Sequence, residues 1–241
     1  GFSFQKNTVT EHLFKPSFVL SGVRCNLSTR VPLLFTTRIV TMTSLMTRFR
    51  IPLLAGFMAN SATLLLIEWK SSQNYVRNFF TDIQGPVQFY AVNTTLSVFL
   101  LWSAALILGV CIVVAKTMPG FERRRRFYLA QALVFAYLGL DDRFMLHEWV
   151  GNQLNTEDHY LLMAVGAFNV LAIAFLADRE VFAGLPGRFF ALAVGFSTVM
   201  LVIDAKFPGE MVLRLSLEDL SKTWGALFFF LFAWERMLGD I

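Results

Sequence analysis

The run Phe127-Tyr-Leu-Ala-Gln-Ala-Leu-Val-Phe-Ala-Tyr-Leu-Gly139 leads without a break into Leu140-Asp-Asp-Arg-Phe-Met-Leu-His-Glu-Trp149. The first part is fit only for lipid or a buried core. The second places five ionisable side chains, Asp141, Asp142, Arg143, His147 and Glu148, within eight residues. Ionisable groups at membrane depth are costly and are functional-site hypotheses by default. Read as one transmembrane helix with a charged end, this stretch decides the fold class: an all-α, polytopic membrane helix bundle.

The rest of the chain agrees. Of 241 residues, 56% are hydrophobic and only 16% charged, where a soluble domain carries about 25% charged residues. The apolar excess falls into segments near the roughly 20 residues needed to cross a bilayer. Six spans are expected, at about 51–69, 90–115, 127–146, 159–177, 189–203 and 217–238. Helices are required because a bilayer offers no water to unpaired backbone groups. Gly56, Ala59, Ser61, Gly139, Gly166, Ala167 and Gly195 are expected to permit close helix contacts. Between the first two spans, Tyr75, Val76, Phe79, Phe80 and Ile83 share a helical face, which fits a short helix in the membrane interface.

Two domains are expected: a non-bundle tail at 1–50 and the bundle at 51–241. The tail holds Lys6, Lys15, Arg24, Arg30, Arg38, Arg48 and Arg50 against Glu11, which makes it +6 while the whole chain is +4. Its Ser, Thr and Arg content suits a targeting segment or a non-native extension. The basic balance therefore belongs to the tail, and nucleic acid is not an expected partner. Cys25 and Cys111 offer neither a disulfide framework nor metal-ligand spacing.

Lys/Arg bias orients the bundle. With Lys116 and the arginines at 123–126 in the cytoplasm, ten basic residues of the loops and span ends lie inside and five outside, and both termini are cytoplasmic. Spans 3 and 5 then run outward. Asp141 lies about 21 Å and Asp204 a similar distance from their inner ends, in a hydrocarbon layer about 30 Å thick. Span 6 opens at the outer face with Glu218, Asp219 and Lys222. Polar groups of separate spans converge in the outer half, and the inner half is expected to hold few.

On a continuous helix Asp141 and Glu148 share one face, and Arg143 and His147 share another. The candidate catalytic residues are Asp141, Asp142, His147, Glu148, Asp204, Glu218 and Asp219. Asp141, His147, Glu148 and Asp204 are the candidate ligands of a divalent metal, since carboxylates and imidazole suit such ions. The same groups serve equally as general acid and base. Plainer readings stand beside these. Ser216-Leu-Glu-Asp219 fits a capping box, Glu218 and Lys222 an i,i+4 pair, and Asp141 with Arg143 an ion pair. The arginines at 123–126 read as a topology signal, and the phenylalanines at 228–230 as lipid-facing or core bulk.

Asp-Asp-x-Phe-x-Leu-His-Glu (141–148), a lone Asp204 and Glu-Asp-x-x-Lys-x-x-Gly (218–225) form a set that resembles a group of small multi-pass bacterial membrane proteins. The resemblance covers about half the chain and implies the bacterial inner membrane, an organelle membrane being the alternative; it implies no activity. A looser likeness is to the alkaline ceramidase and progestin-receptor superfamily, which gathers acids and histidines at one end of a bundle. That superfamily's His-x-x-x-His pairing has no counterpart among His12, His147 and His159. Three functions remain open: a metal-dependent hydrolase of lipid-like substrates, a proton- or cation-coupled transport or binding protein, and a structural or accessory subunit. The lipid bilayer is the expected partner of all three.

Overall fold

The computed structural model describes residues 33–80, 91–116, 120–156, 158–208 and 211–240, with side chains from residue 50 onward except at 158 and 159. Among them every regular element is a helix: α1 (Leu33–Lys70), α2 (Gln73–Arg77), α3 (Val92–Lys116), α4 (Glu122–Phe144), α5 (Leu146–Leu154), α6 (Asp158–Leu176), α7 (Leu185–Lys206) and α8 (Arg214–Asp240). A 3-10 turn, Arg179–Phe182, precedes α7. By its contacts the chain divides into Gly1–Arg50 and Ile51–Ile241, and the second unit contains the bundle. The helix expected to open at residue 51 begins at Leu33 instead, so Pro52 lies inside α1 rather than in its first turn.

Among the described residues three helices are long and apolar enough to cross a membrane: Arg50–Lys70 of α1, Val92–Lys116 and Leu185–Lys206. Tyr160–Leu176 of α6 is a shorter apolar helix. α4 and α8 have 23 and 27 residues, roughly 35–40 Å at about 1.5 Å per residue. Charged residues at both ends lower their hydropathy, and many of those side chains are paired within the bundle.

The most extensive packing joins α3 to α4, α7 to α8, and α3 to α8. Aromatic rings fill the seam. Phe135 and Phe229 have centroids 4.7 Å apart, and Phe190 sits 5.0 Å from both Phe182 and Phe232. Such pairs add about 0.5–1.5 kcal/mol each beyond their buried area. Phe228 and Phe229 are buried, which places the 228–230 run largely in the core. Two glycines allow close approaches between neighbouring helices. A Cβ at Gly139 would lie 2.5 Å from the Trp102 ring, and one at Gly225 would lie 3.0 Å from Ser197 Oγ. Gly56, Gly166 and Gly195, also expected at contacts, have nothing within 4 Å of a built Cβ.

The expected interfacial helix is the five-residue α2, whose N-cap Ser72 accepts a bond from the Tyr75 N–H at 3.2 Å. Val76 and Phe80 turn inward onto Leu64 and Leu220, and Ile83 lies outside the described residues.

One end of the bundle is closed by a compact ionic network. Arg236 Nη2 lies 2.5 Å from Asp240 Oδ1, and Arg124 reaches Asp240 at 3.4 Å and Glu180 at 2.6 Å. Tyr128 donates its hydroxyl to Asp240 and accepts from Arg236 Nε at 3.3 Å. This network stands at the end of the bundle away from Asp141. Arg124, read as part of a topology signal, has a side chain only 11% exposed and ties the start of α4 to the end of α8.

Candidate functional site

At the opposite end, the local event that builds the site is a break at Met145. It adopts φ 50 and ψ 46, the left-handed region, ending α4 and opening α5. A non-glycine residue there costs of order 1–3 kcal/mol, and nothing in Phe144-Met-Leu146 announces it. The break turns the chain so that the His147 N–H donates to Asp141 Oδ1 at 2.7 Å, while His147 Nδ1 lies 2.8 Å from Oδ2. Asp141 is 3% exposed, so these bonds satisfy a buried carboxylate. Whichever ring nitrogen carries the proton, the two bonds to Asp141 fix the orientation of the His147 imidazole.

The break also corrects two expectations from the continuous helix. Glu148 does not share a face with Asp141 but is exposed on α5, and His147 joins Asp141 rather than Arg143.

Asp142 belongs to a second group. Its Oδ1 lies 2.7 Å from Lys222 Nζ, and its Oδ2 accepts from Ser97 Oγ of α3. Lys222 also lies 3.2 Å from Asp219 Oδ1, so it bridges α4 and α8.

A third group centres on Arg214, which sequence reasoning left in a linker. Its Nη2 lies 3.1 Å from Asp204 Oδ1, its Nε donates to the Phe207 carbonyl at 3.1 Å, and its Nη1 sits 3.2 Å from Glu218 Oε2. The last contact is electrostatic, since Glu218 Oε2 has no hydrogen-bond partner. Glu218 thus pairs backward with Arg214 rather than forward with Lys222.

The capping box expected at Ser216 does not form, because α8 begins at Arg214. Glu68 of α1, 4% exposed, takes that role: it accepts from the N–H of Leu213 at 3.0 Å and of Ser216 at 3.3 Å. A carboxylate at a helix N-terminus meets unpaired N–H groups and the positive end of the dipole. A signal existed, for Glu68 is the one acid between residues 51 and 80.

These groups surround a cavity of about 360 Å³. Asp141, Asp142, His147, Asp204, Glu218 and Asp219 line it, six of the seven expected site residues, together with Lys222. The other walls are mainly apolar, with Leu138 of α4, Val165 of α6, Leu201 of α7 and Phe229 of α8. Asn169 adds a polar point and accepts from Gln131 Nε2 at 2.6 Å. Asn93 and Thr94, on the end of α3 that also carries Ser97, do not line the cavity. Asn93 accepts from Asn60, and Thr94 donates to the Phe80 carbonyl. His159 lies outside the described side chains.

A divalent metal does not fit this arrangement as expected. Among the described residues no three His, Cys, Asp or Glu side chains gather as ligands. Of the expected quartet, Glu148 is exposed, Asp141 engages His147, and Asp204 engages Arg214. No step is therefore assigned to a metal.

Among the described residues every regular element is helical and three helices are fit to span a membrane, which makes this an all-α protein suited to membrane association. The chain belongs to the family described as domain of unknown function DUF8692, whose model matches residues 33–235. The match opens where α1 opens, inside the stretch read as a tail. No curated protein and no solved structure matches the chain.

Proposed function

We propose that this protein is a six-span bundle of the bacterial inner membrane, with α1, α3, α4, α6, α7 and α8 crossing and both termini cytoplasmic. Its cavity holds the polar end of a lipid-like molecule, and the Asp141–His147 pair acts on that molecule as acid and base. The observation that carries this reading is the composition of the cavity: ionisable groups from α4, α5, α7 and α8 at one end and apolar walls along the rest. Ligand pockets are largely apolar with a few convergent polar groups.

The reaction class is hydrolysis of a lipid-like ester or amide. His147 takes a proton from water, the resulting hydroxide adds to the carbonyl, and the same proton passes to the departing alcohol or amine. Asp141 orients the ring and stabilises the imidazolium. Lys222, held by Asp142 and Asp219, is the cation on the cavity wall nearest in kind to an oxyanion partner.

The test is turnover of a panel of long-chain esters and amides by purified protein in nanodiscs. His147→Gln and Asp141→Asn should each lower turnover by about 10²–10⁴-fold while the protein stays folded. Equal rates in wild type and both variants would sink the acid–base step. Topology has its own test: reporters fused at 120 and 184 should be cytoplasmic, and at 152 and 210 extracytoplasmic. The reverse pattern would move the site to the other face.

A second reading has one observation in its favour. Asp141, Asp142, Asp204, Glu218 and Asp219 outnumber Lys222 and Arg214, a surplus suited to carrying a proton or cation. Flux of protons or sodium in proteoliposomes, without hydrolysis, would select it.

A further inference from the structure

We propose that the cavity takes a single-chain amphiphile with an amine head group directly from the bilayer, sideways between α6 and α7. This rests on the ligand-binding reading above and adds the route and the charge of the head.

The route follows from how two walls meet. α6 and α7 both line the cavity, yet they touch each other only slightly; α6 packs mainly on α4 and α5, and α7 on α8. Lining residues on the two facing helices are exposed, among them Gly166 and Val170 on α6 and Val194 and Thr198 on α7. A Cβ added at Gly166 would meet nothing within 4 Å, so the wall has open space at that point. In a spanning bundle that opening faces lipid tails rather than water. An alkyl chain can lie in it and stay solvated by lipid beyond it. Pockets for small ligands run from about 300 to 1,000 Å³, and 360 Å³ lies within that range, the far part of the chain remaining in the opening.

The head group follows from charge. Five carboxylates line the cavity, and two cations seen to answer them are Lys222 on the wall and Arg214 beside it. Acidic side chains therefore outnumber basic ones at the polar end, five to three with His147 counted among the bases. An anionic head would meet like charge, and a bare inorganic cation would make no use of the apolar walls or the open side. A protonated amine on an alkyl chain satisfies both halves of the cavity.

The experiment uses full-length protein in phosphatidylcholine nanodiscs and hexadecylamine carrying a mid-chain diazirine. Labelled peptides are mapped after irradiation, beside matching hexadecanol and hexadecyl sulfate probes. The amine should label α6 and α7 and be displaced by unlabelled hexadecylamine, with the sulfate labelling about tenfold less because like charges are brought together. Gly166→Trp should cut labelling about tenfold at unchanged thermal stability, with Thr198→Trp as the second obstruction should the first fail to fold. Gly195→Trp is the control, since Gly195 is exposed on α7, has open space beside it and does not line the cavity. Full labelling in both obstructed variants would overturn the lateral route and leave ligand binding intact. Equal labelling by sulfate and amine would overturn the head-group assignment. Absence of displaceable labelling by all three probes would overturn both this proposal and the ligand-binding reading.

Discussion

The two ends of the bundle are made of the same materials and put to different use. At the Arg124 end, Arg124 and Arg236 face Asp240 and Glu180, two cations against two anions, and Tyr128 closes the network. None of these groups lines the cavity. At the His147 end the carboxylates are in surplus and the side chains stand around a space. A balanced network closed on itself ties helices together. An unbalanced one around a cavity leaves part of its electrostatic demand to be met from outside. The difference lies in stoichiometry and packing rather than in residue type.

The largest effect that would break this comparison is expected at the balanced end. Arg236→Met leaves Asp240 with Arg124 at 3.4 Å as its remaining cation and removes a donor to Tyr128. Removing one partner of a buried ion pair costs about 3–5 kcal/mol. Thermal unfolding in detergent should show a large drop, with the residual folded protein still labelled by the amphiphile. A drop no larger than that of a surface substitution would mean the network does not hold the helices.

A double-mutant cycle sharpens the comparison at the other end. Asp141 engages His147 and Asp204 engages Arg214, so the two share a cavity but no partner. Asp141→Asn should lower turnover by about 10²–10⁴-fold, and Asp204→Asn should lower it measurably as well. Their stability costs should add to within about 0.5 kcal/mol, as for sites without common partners, while their effects on turnover should be strongly non-additive. Additive losses of turnover would separate the two residues functionally and remove the reason for treating the cavity as one site.

The smallest effect is expected at Glu148. It is exposed on α5 and does not line the cavity. Glu148→Gln should change stability by less than about 0.5 kcal/mol and leave turnover unaltered. A loss comparable to that of Asp141→Asn would restore the continuous-helix geometry in which Glu148 and Asp141 share a face.

Much of this molecule was legible in its residues. Long apolar runs required helices, and their lengths placed α3, α6, α7 and α8 within a few residues of their observed bounds. The concentration of Asp141, Asp142, His147, Asp204, Glu218 and Asp219 near span ends pointed to one cluster, and those six line one cavity. Composition and periodicity suffice for such features because they follow from each residue's own affinity for lipid or water and from the 3.6-residue repeat.

Other features were decided only by tertiary contacts. The left-handed Met145 is held by the Asp141–His147 bonds, and no local propensity at Met145 encodes it. Arg214 and Glu68 became part of the site's framework because α8 starts earlier than its apolar run and needs an acceptor from α1 at its N-terminus. The charges on α4 and α8 depress the hydropathy of both helices, yet many of their partners come from other helices across the bundle. Hydropathy counts a charge by its type, whereas its cost in the folded chain depends on its partner, as Arg124 depends on Asp240, 116 residues away in sequence. That dependence on distant partners is why the residues identified the cluster, while only the packed structure determined which members pair, which one is left outside, and where the space between them opens.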